Sequence, residues 1–151
     1  FTNKSLGSTL ALNYSHGRRK EGNATPLGAY TFVPMDSLTT NDYDLVGIDL
    51  LCNYKNFLWK SEFFYTYENH EENRSAYYLQ PAWRINDEYL LFYRFDHLKA
   101  GQNLGEGREH TLGMNFIPTP IVRIRAELSK TRFSNPLARS TFAQISTTIS
   151  F

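Results

Sequence analysis

The chain has 151 residues, with 16 Lys and Arg against 15 Asp and Glu, a formal net charge of +1 and a mean hydropathy of −0.46. This length allows one domain or part of one, and so small a net charge offers no long-range attraction for nucleic acid. The single cysteine, Cys52, excludes an intrachain disulfide framework and a cysteine metal site. We therefore expect no nucleic-acid partner, no bound metal and no cofactor.

Most of the chain consists of segments in which bulky apolar side chains alternate with polar ones. Aromatic residues make up 15% of the chain, and a period of two predicts strands. No apolar run approaches the roughly 18 residues that a membrane-spanning helix needs. In chain order we predict eight strands, at 5–15, 44–54, 57–67, 75–85, 89–97, 110–117, 121–132 and 141–151.

The connections between these strands alternate in length. Short turns are predicted at 55–56, 86–87 and 118–120, and long loops at 16–42, 68–74, 98–109 and 133–140. Outer-membrane β-barrels have short periplasmic turns and longer outer loops, and strands of about 9–11 residues cross the hydrocarbon when tilted. Pro81 is the exception within a strand, because proline cannot donate to a ladder. We expect either a bulge there or a register that tolerates the missing N–H.

Away from the strand ends, where Asp44, Lys130 and Arg132 are the exceptions, one face of every predicted strand is free of Asp, Glu, Lys and Arg. Since Lys or Arg at mid-bilayer costs about 2–4 kcal/mol, we interpret this face as facing lipid. Aromatic residues cluster near both ends of it, as amphipathic rings do at the two membrane interfaces. The candidate girdle residues are Tyr54, Trp59, Tyr65, Tyr67, Tyr77, Trp83, Tyr89 and Phe151.

The last predicted strand ends in Phe151 and carries apolar residues at alternating positions before it. It resembles the C-terminal signature of bacterial outer-membrane barrels, which the barrel-assembly machinery recognises in that class. Because the chain begins at Phe1 without Met, we expect a mature, cleaved or partial chain.

From about Tyr43 to Phe151 the chain resembles the C-terminal part of large Gram-negative porins, especially the phosphate-selective porin O and P family. The matching segments are FLWKSEFFYTY and SAYYLQPAWRI at 57–67 and 75–85, RFD at 94–96, and HTLGMNFIPTPIVRIRAEL at 110–128. The resemblance implies the last eight strands of a barrel of about sixteen. It also implies a trimer in the bacterial outer membrane that passes small ions and solutes and contacts lipid and lipopolysaccharide.

On this interpretation the charged face lines the lumen. Arginine binds phosphate and carboxylate through a planar fork, but acidic residues interleave with the arginines here and lysine is scarce. We therefore expect at most a weak anion preference rather than phosphate selectivity. The candidate lumen-lining residues are Lys60, Glu62, Arg84, Arg94, Asp96, Arg123, Arg125 and Glu127.

Two other architectures fit the alternation. A closed eight-stranded barrel, its interior filled by side chains such as Phe64, Tyr78, Phe92 and Phe142, could serve as an anchor, an adhesin or a lipopolysaccharide-contacting protein. A soluble lipocalin-like binder would instead turn its charged face outward. No Ser/His/Asp spacing places a nucleophile beside a base, so we expect no enzyme. All three architectures treat residues 1–151 as one β-domain or a portion of one, with 16–42 as a long loop.

Overall fold

The computed structural model describes residues 7–20, 40–68, 73–99, 105–134 and 139–150. The strands are β1 (Gly7–Lys20), β2 (Thr40–Tyr54), β3 (Phe57–Glu68), β4 (Arg74–Arg84), β5 (Tyr89–Lys99), β6 (Glu106–Thr119), β7 (Val122–Phe133) and β8 (Arg139–Ile149). Each strand pairs antiparallel with its neighbour in the chain, so all eight lie in one sheet in sequence order. The described ranges hold no helix long and apolar enough to cross a bilayer. The prediction of an all-β chain with eight antiparallel strands is confirmed.

Several strands extend further toward the long loops than predicted. β1 continues to Lys20 and β2 begins at Thr40, so the predicted loop 16–42 was too long at both ends. β6 begins at Glu106, inside the predicted loop 98–109. The sequence at these ends is polar on both faces, so alternation of side chains does not reveal them.

The turn after β6 also lies later than predicted. Pro118 and Thr119 still belong to β6, and the turn falls at Pro120 and Ile121. The pairing of β6 with β7 shifts between Phe116 and Thr119, because a strand that contains proline continues more easily through a bulge than through a regular ladder.

The sheet is open. Within the described residues β1 pairs only with β2, and β8 only with β7. Closure would require hydrogen bonds between β1 and β8, and the described residues of these strands make none. The closed eight-stranded barrel is therefore not the form that the described residues take.

The sheet curves around its charged face, which we call the inner face. The buried side chains of the described residues lie on this face, while the large exposed apolar side chains lie on the opposite, outer face, apart from Phe142 and the turn residue Ile121. The arrangement is the reverse of a soluble barrel with an apolar interior, the third architecture considered above. Apart from glycines, the buried residues in the described ranges are Thr66, Glu68, Arg74, Ala82, Phe92, Thr111, Asn115 and Ser129.

Pro81 interrupts the sheet on one side only. The ladder between β4 and β5 lacks the pairs expected at Gln80 and Pro81, and it resumes in the same register at Ala82 and Phe92. On the β3 side Pro81 pairs with Trp59 without a break. The missing N–H therefore falls toward β5 and no bulge forms, so the second of the two expectations for this residue is correct.

Replacing Pro81 by Val should stabilise the sheet. The substitution restores an N–H toward β5, and a backbone hydrogen bond contributes about 1 kcal/mol net. The side chain lies on the outer face, where it is half-buried, and a branched residue suits a position in a strand. We expect a higher urea midpoint of unfolding, followed by tryptophan fluorescence. Pro118→Val, at the irregular end of β6, is the control and should leave the midpoint unchanged; a lower midpoint for Pro81→Val would contradict the account.

Candidate functional site

Between β2 and β7 the inner face carries charges of both signs in equal number. From β2 to β7 it holds six cationic and six acidic side chains. The cations are Lys60, Arg74, Arg84, Arg94, Arg123 and Arg125, and the acids are Asp49, Glu62, Glu68, Asp96, Glu109 and Glu127. All eight candidate lumen-lining residues lie on this face. A surface with balanced charges of both signs has local fields but little overall preference for anions or cations.

Arg94 lies at the centre of the largest network on the inner face. Its Nε donates to Asp96 Oδ2 at 2.8 Å, and its Nη2 lies 3.8 Å from Glu109 Oε1. Glu109 also accepts a hydrogen bond from Thr131 Oγ1 at 2.6 Å, and Thr111 Oγ1 bonds Ser129 Oγ at 2.7 Å. About a third of each Arg94 and Asp96 side chain is exposed, so the pair is held in place but reachable from the interior.

A second group surrounds Arg125. Its guanidinium pairs with Glu127 and lies over the ring of Phe92, 4.5 Å from the centroid. Phe92 is 1% exposed, so a rigid aromatic surface supports the cation. The ring and the carboxylate together fix the direction in which Arg125 presents its remaining donors.

The remaining candidates are less organised. Lys60, Arg84 and Arg123 lie on the inner face without an ion pair in the described part of the chain, and Glu62 accepts a hydrogen bond from Tyr78 at 2.6 Å. Sequence reasoning placed Glu109 in a loop and so missed its role. A predicted start of β6 before Glu109 would have placed this residue on the inner face, because it is separated from Thr111 and Asn115 by even numbers of residues.

Large rings on the inner face lie close against glycines of the neighbouring strand. Phe92 is directly opposite Gly113, and Phe64 is opposite Gly47. A Cβ on Gly113 would meet the Phe92 ring at 2.2 Å, and one on Gly47 would meet Phe64 at 2.8 Å. Gly107 and Phe133 form a third such pair. Because glycine lets each ring approach the backbone, these rings line the wall instead of filling the interior.

The curvature creates a cleft of about 720 Å³ on the long-loop half of the inner face. It is open on one side, and residues of six strands line it. The Arg94 network forms its polar part, and Phe64, Phe133 and Phe142 form its apolar part. Water and small polar solutes therefore meet both charged and aromatic surface here.

The candidate girdle residues lie on the outer face. Tyr54, Tyr67 and Trp83 are each more than half exposed, Tyr65 is 38% exposed, and Trp59, Tyr77 and Tyr89 are half-buried among neighbouring rings. Phe151 lies outside the described residues.

The apolar band of the outer face runs obliquely across the sheet. The strand pairings connect residues that lie opposite one another across the sheet. The row that begins at Leu12 on β1 continues through Ile48 on β2 and ends at Arg139 on β8. On β8 the exposed apolar residues are Ile145 and Ile149, six and ten residues further toward the short turns. The band thus shifts by about one residue per strand. A shift of ~3.3 Å along the strand for each ~4.8 Å between strands corresponds to strands tilted by about 35° from the normal to the band.

No family model, curated protein or solved structure matches the chain. The geometry and chemistry of the two faces therefore carry the functional argument.

Proposed function

We propose that this chain forms part of the wall of a bacterial outer-membrane porin, a β-barrel through which ions and small hydrophilic solutes diffuse passively. The observation that carries the proposal is the oblique apolar band on the outer face. Strands of transmembrane barrels tilt by about 35–45°. A flat layer of lipid meets each successive tilted strand at a different residue, so the apolar residues must shift from strand to strand as they do here. A soluble sheet has no reason to keep such a band exposed, since large apolar patches promote association.

The open edges of the sheet agree with a larger barrel. Lipid cannot hydrogen-bond to an unpaired strand edge, so a spanning sheet must close. In the proposed porin, further strands pair with β1 and β8, supplied by the rest of a longer chain or by another subunit. A barrel of about sixteen strands leaves an aqueous channel, whereas eight strands leave only room for side chains.

The inner face suits a channel better than a filled core. The rings of Phe64, Phe92 and Phe133 lie against glycines of the wall, which leaves the interior free. The network around Arg94 and the pair of Arg125 with Glu127 place charges of both signs along the path. Transport would then be filtered by electrostatics without strong ion preference, and assembly would use the β-barrel assembly machinery.

Single-channel recording in planar lipid bilayers tests the proposal. We expect stepwise, ohmic conductance in KCl from the full-length protein in which this chain occurs. Silence under conditions in which the protein is inserted and folded would remove the porin function and leave a membrane anchor.

Arg123→Glu should make the channel more cation-selective. Arg123 is exposed on the inner face without an ion pair in the described residues, so its charge acts directly on passing ions. A change of two unit charges at about 10 Å, screened by salt, should raise the cation-to-anion permeability ratio about threefold. The reversal potential in a KCl gradient measures this ratio.

Arg132→Glu is the matched control for that measurement. Arg132 lies on the same strand, β7, but on the outer face, so the same charge change should leave the reversal potential where it was. An equal shift in both variants would mean that Arg123 does not line the ion path.

A further inference from the structure

The outer face changes character at the long-loop end of β5 to β8. Five cationic side chains lie there with a single carboxylate, Glu106, among the described residues. We call this set the cationic rim, and it consists of Lys99, Arg108, Lys130, Arg132 and Arg139. The short-turn end of the same face carries apolar and aromatic residues instead, such as Trp83 and Ile149.

Three arginines of the rim are direct neighbours across the sheet. Arg108 on β6 is paired in register with Arg132 on β7, and Arg132 with Arg139 on β8. Like charges directly opposite one another destabilise a sheet. Arg108 lies 3.8 Å from Glu106 and is 62% exposed, while Arg132 and Arg139 are exposed and form no ion pair in the described part of the chain. The row thus has more positive charge than the protein neutralises.

The other end of the sheet shows that this excess is local. On β1 and β2, Arg18 Nε donates to Asp42 Oδ1 at 2.7 Å, and His16 Nδ1 lies 2.9 Å from Asp44 Oδ1. The Arg18 guanidinium lowers the pKa of the Asp42 carboxyl through that hydrogen bond. Arg18 and His16 thus each have a carboxylate from the neighbouring strand, whereas Arg132 and Arg139 have none among the described residues.

The rim lies just beyond the apolar band. Arg108 and Arg132 each lie four residues past the nearest exposed apolar side chains of their strands, Leu112 and Leu128. Four residues of strand tilted by about 35° rise about 11 Å along the membrane normal. With flexible side chains reaching back, the guanidinium groups meet the head-group layer, which is about 5–8 Å thick on each side of the hydrocarbon.

A small cleft lies between β7 and β8 at this level. Its volume is about 280 Å³, and Lys130, Arg132 and Arg139 contribute its cationic lining. Guanidinium groups bind phosphate through paired, charge-assisted hydrogen bonds, and Thr141 lies on the same face beside them. The cleft therefore offers both charge and hydrogen-bond donors to a phosphorylated head group.

We propose that the cationic rim binds the phosphate groups of lipopolysaccharide in the outer leaflet, an inference that rests on the proposed membrane location. The occupant is a lipid because the rim continues directly into the apolar outer face. It is a phosphorylated glycolipid because the rim lies on the long-loop side, where such a barrel meets the outer leaflet. Its phosphates neutralise the row of three arginines, and its acyl chains cover Leu112 and Leu128.

The test uses the full-length protein in detergent and measures lipid A binding by native mass spectrometry. The Arg132→Gln and Arg139→Gln double variant should bind lipid A at least about tenfold more weakly, since two charge-assisted contacts are lost. Arg123→Gln removes the same charge from the inner face of β7 and should bind like wild type. Unchanged lipid A binding in the double variant would overturn the proposal.

Two further ligands separate the possible sources of phosphate. Lipid A without its phosphates should bind wild type as weakly as lipid A binds the double variant. Phosphatidylglycerol should bind wild type more weakly than lipid A does. Equal binding of dephosphorylated lipid A, or equal binding of phosphatidylglycerol, would show that the rim does not recognise the phosphorylated glycolipid.

Failure of this inference and failure of the porin proposal give different results. If the protein conducts ions but the double variant binds lipid A as well as wild type does, only the lipopolysaccharide site is overturned. Silent bilayers with arginine-dependent binding would overturn only the channel. Circular dichroism of each variant verifies that its strands are formed.

Discussion

A lysine in place of Leu12 should strongly destabilise the protein folded in a lipid bilayer, whereas a lysine in place of the adjacent Asn13 should be tolerated. Leu12 is 75% exposed at the centre of the apolar band on β1. In the proposed orientation its side chain lies among acyl chains, where Lys costs about 2–4 kcal/mol near the midplane. That loss is a large part of the 5–15 kcal/mol by which proteins are stable.

Asn13 is the matched control because it is also exposed but lies on the inner face. Its amide donates to Asp49 Oδ2 at 2.7 Å, and a lysine ammonium at position 13 would meet the same carboxylate. The two variants therefore differ in the face that receives the charge and in almost nothing else. The measurement is the urea midpoint of unfolding in phosphatidylcholine vesicles.

The soluble alternative predicts the opposite order. If water covered the outer face, Leu12→Lys would remove exposed apolar surface and improve solubility without loss of stability. A Leu12→Lys protein that folds as well as Asn13→Lys, and stays monomeric without detergent, would end the membrane interpretation.

The centre of each strand could be predicted from the sequence because a strand places successive side chains on opposite faces. The prediction 57–67 corresponds to β3 at Phe57–Glu68, and 75–85 to β4 at Arg74–Arg84. The ends at Lys20, Thr40 and Glu106 were missed because both faces are polar there. Alternation carries information only where the two faces have different surroundings.

The composition of the inner face could be predicted, but its contacts could not. Parity alone placed Arg94 and Asp96 on one side, whereas the approach of Glu109 to Arg94 depends on the pairing of β5 with β6. That register depends on the loop between the strands and on where β6 begins. The fit of Phe92 over Gly113 follows from the same register, because a shift by one residue would send the two to opposite faces.

Gly113→Val should destabilise the protein and narrow the channel. A Cβ at this position would come within 2.2–2.9 Å of three atoms of the buried Phe92 ring, so the ring must leave the wall. Overpacking of this kind costs about 1–3 kcal/mol. The displaced ring would extend into the interior and no longer support Arg125, so we expect a lower urea midpoint together with a smaller single-channel conductance.

A second substitution shows whether the ring is the cause. Phe92→Ala alone should cost about 3–5 kcal/mol, as large-to-small replacements of buried aromatics do. In the Gly113→Val and Phe92→Ala double variant, valine occupies space that the ring has left, so the combined loss should be smaller than the sum, and conductance should recover. Gly7→Val is the glycine control because nothing lies within 4 Å of a Cβ there, and it should lower neither quantity. Additive losses in the double variant would mean that Gly113 and Phe92 act independently, and that the rings do not lie against the wall to keep the interior open.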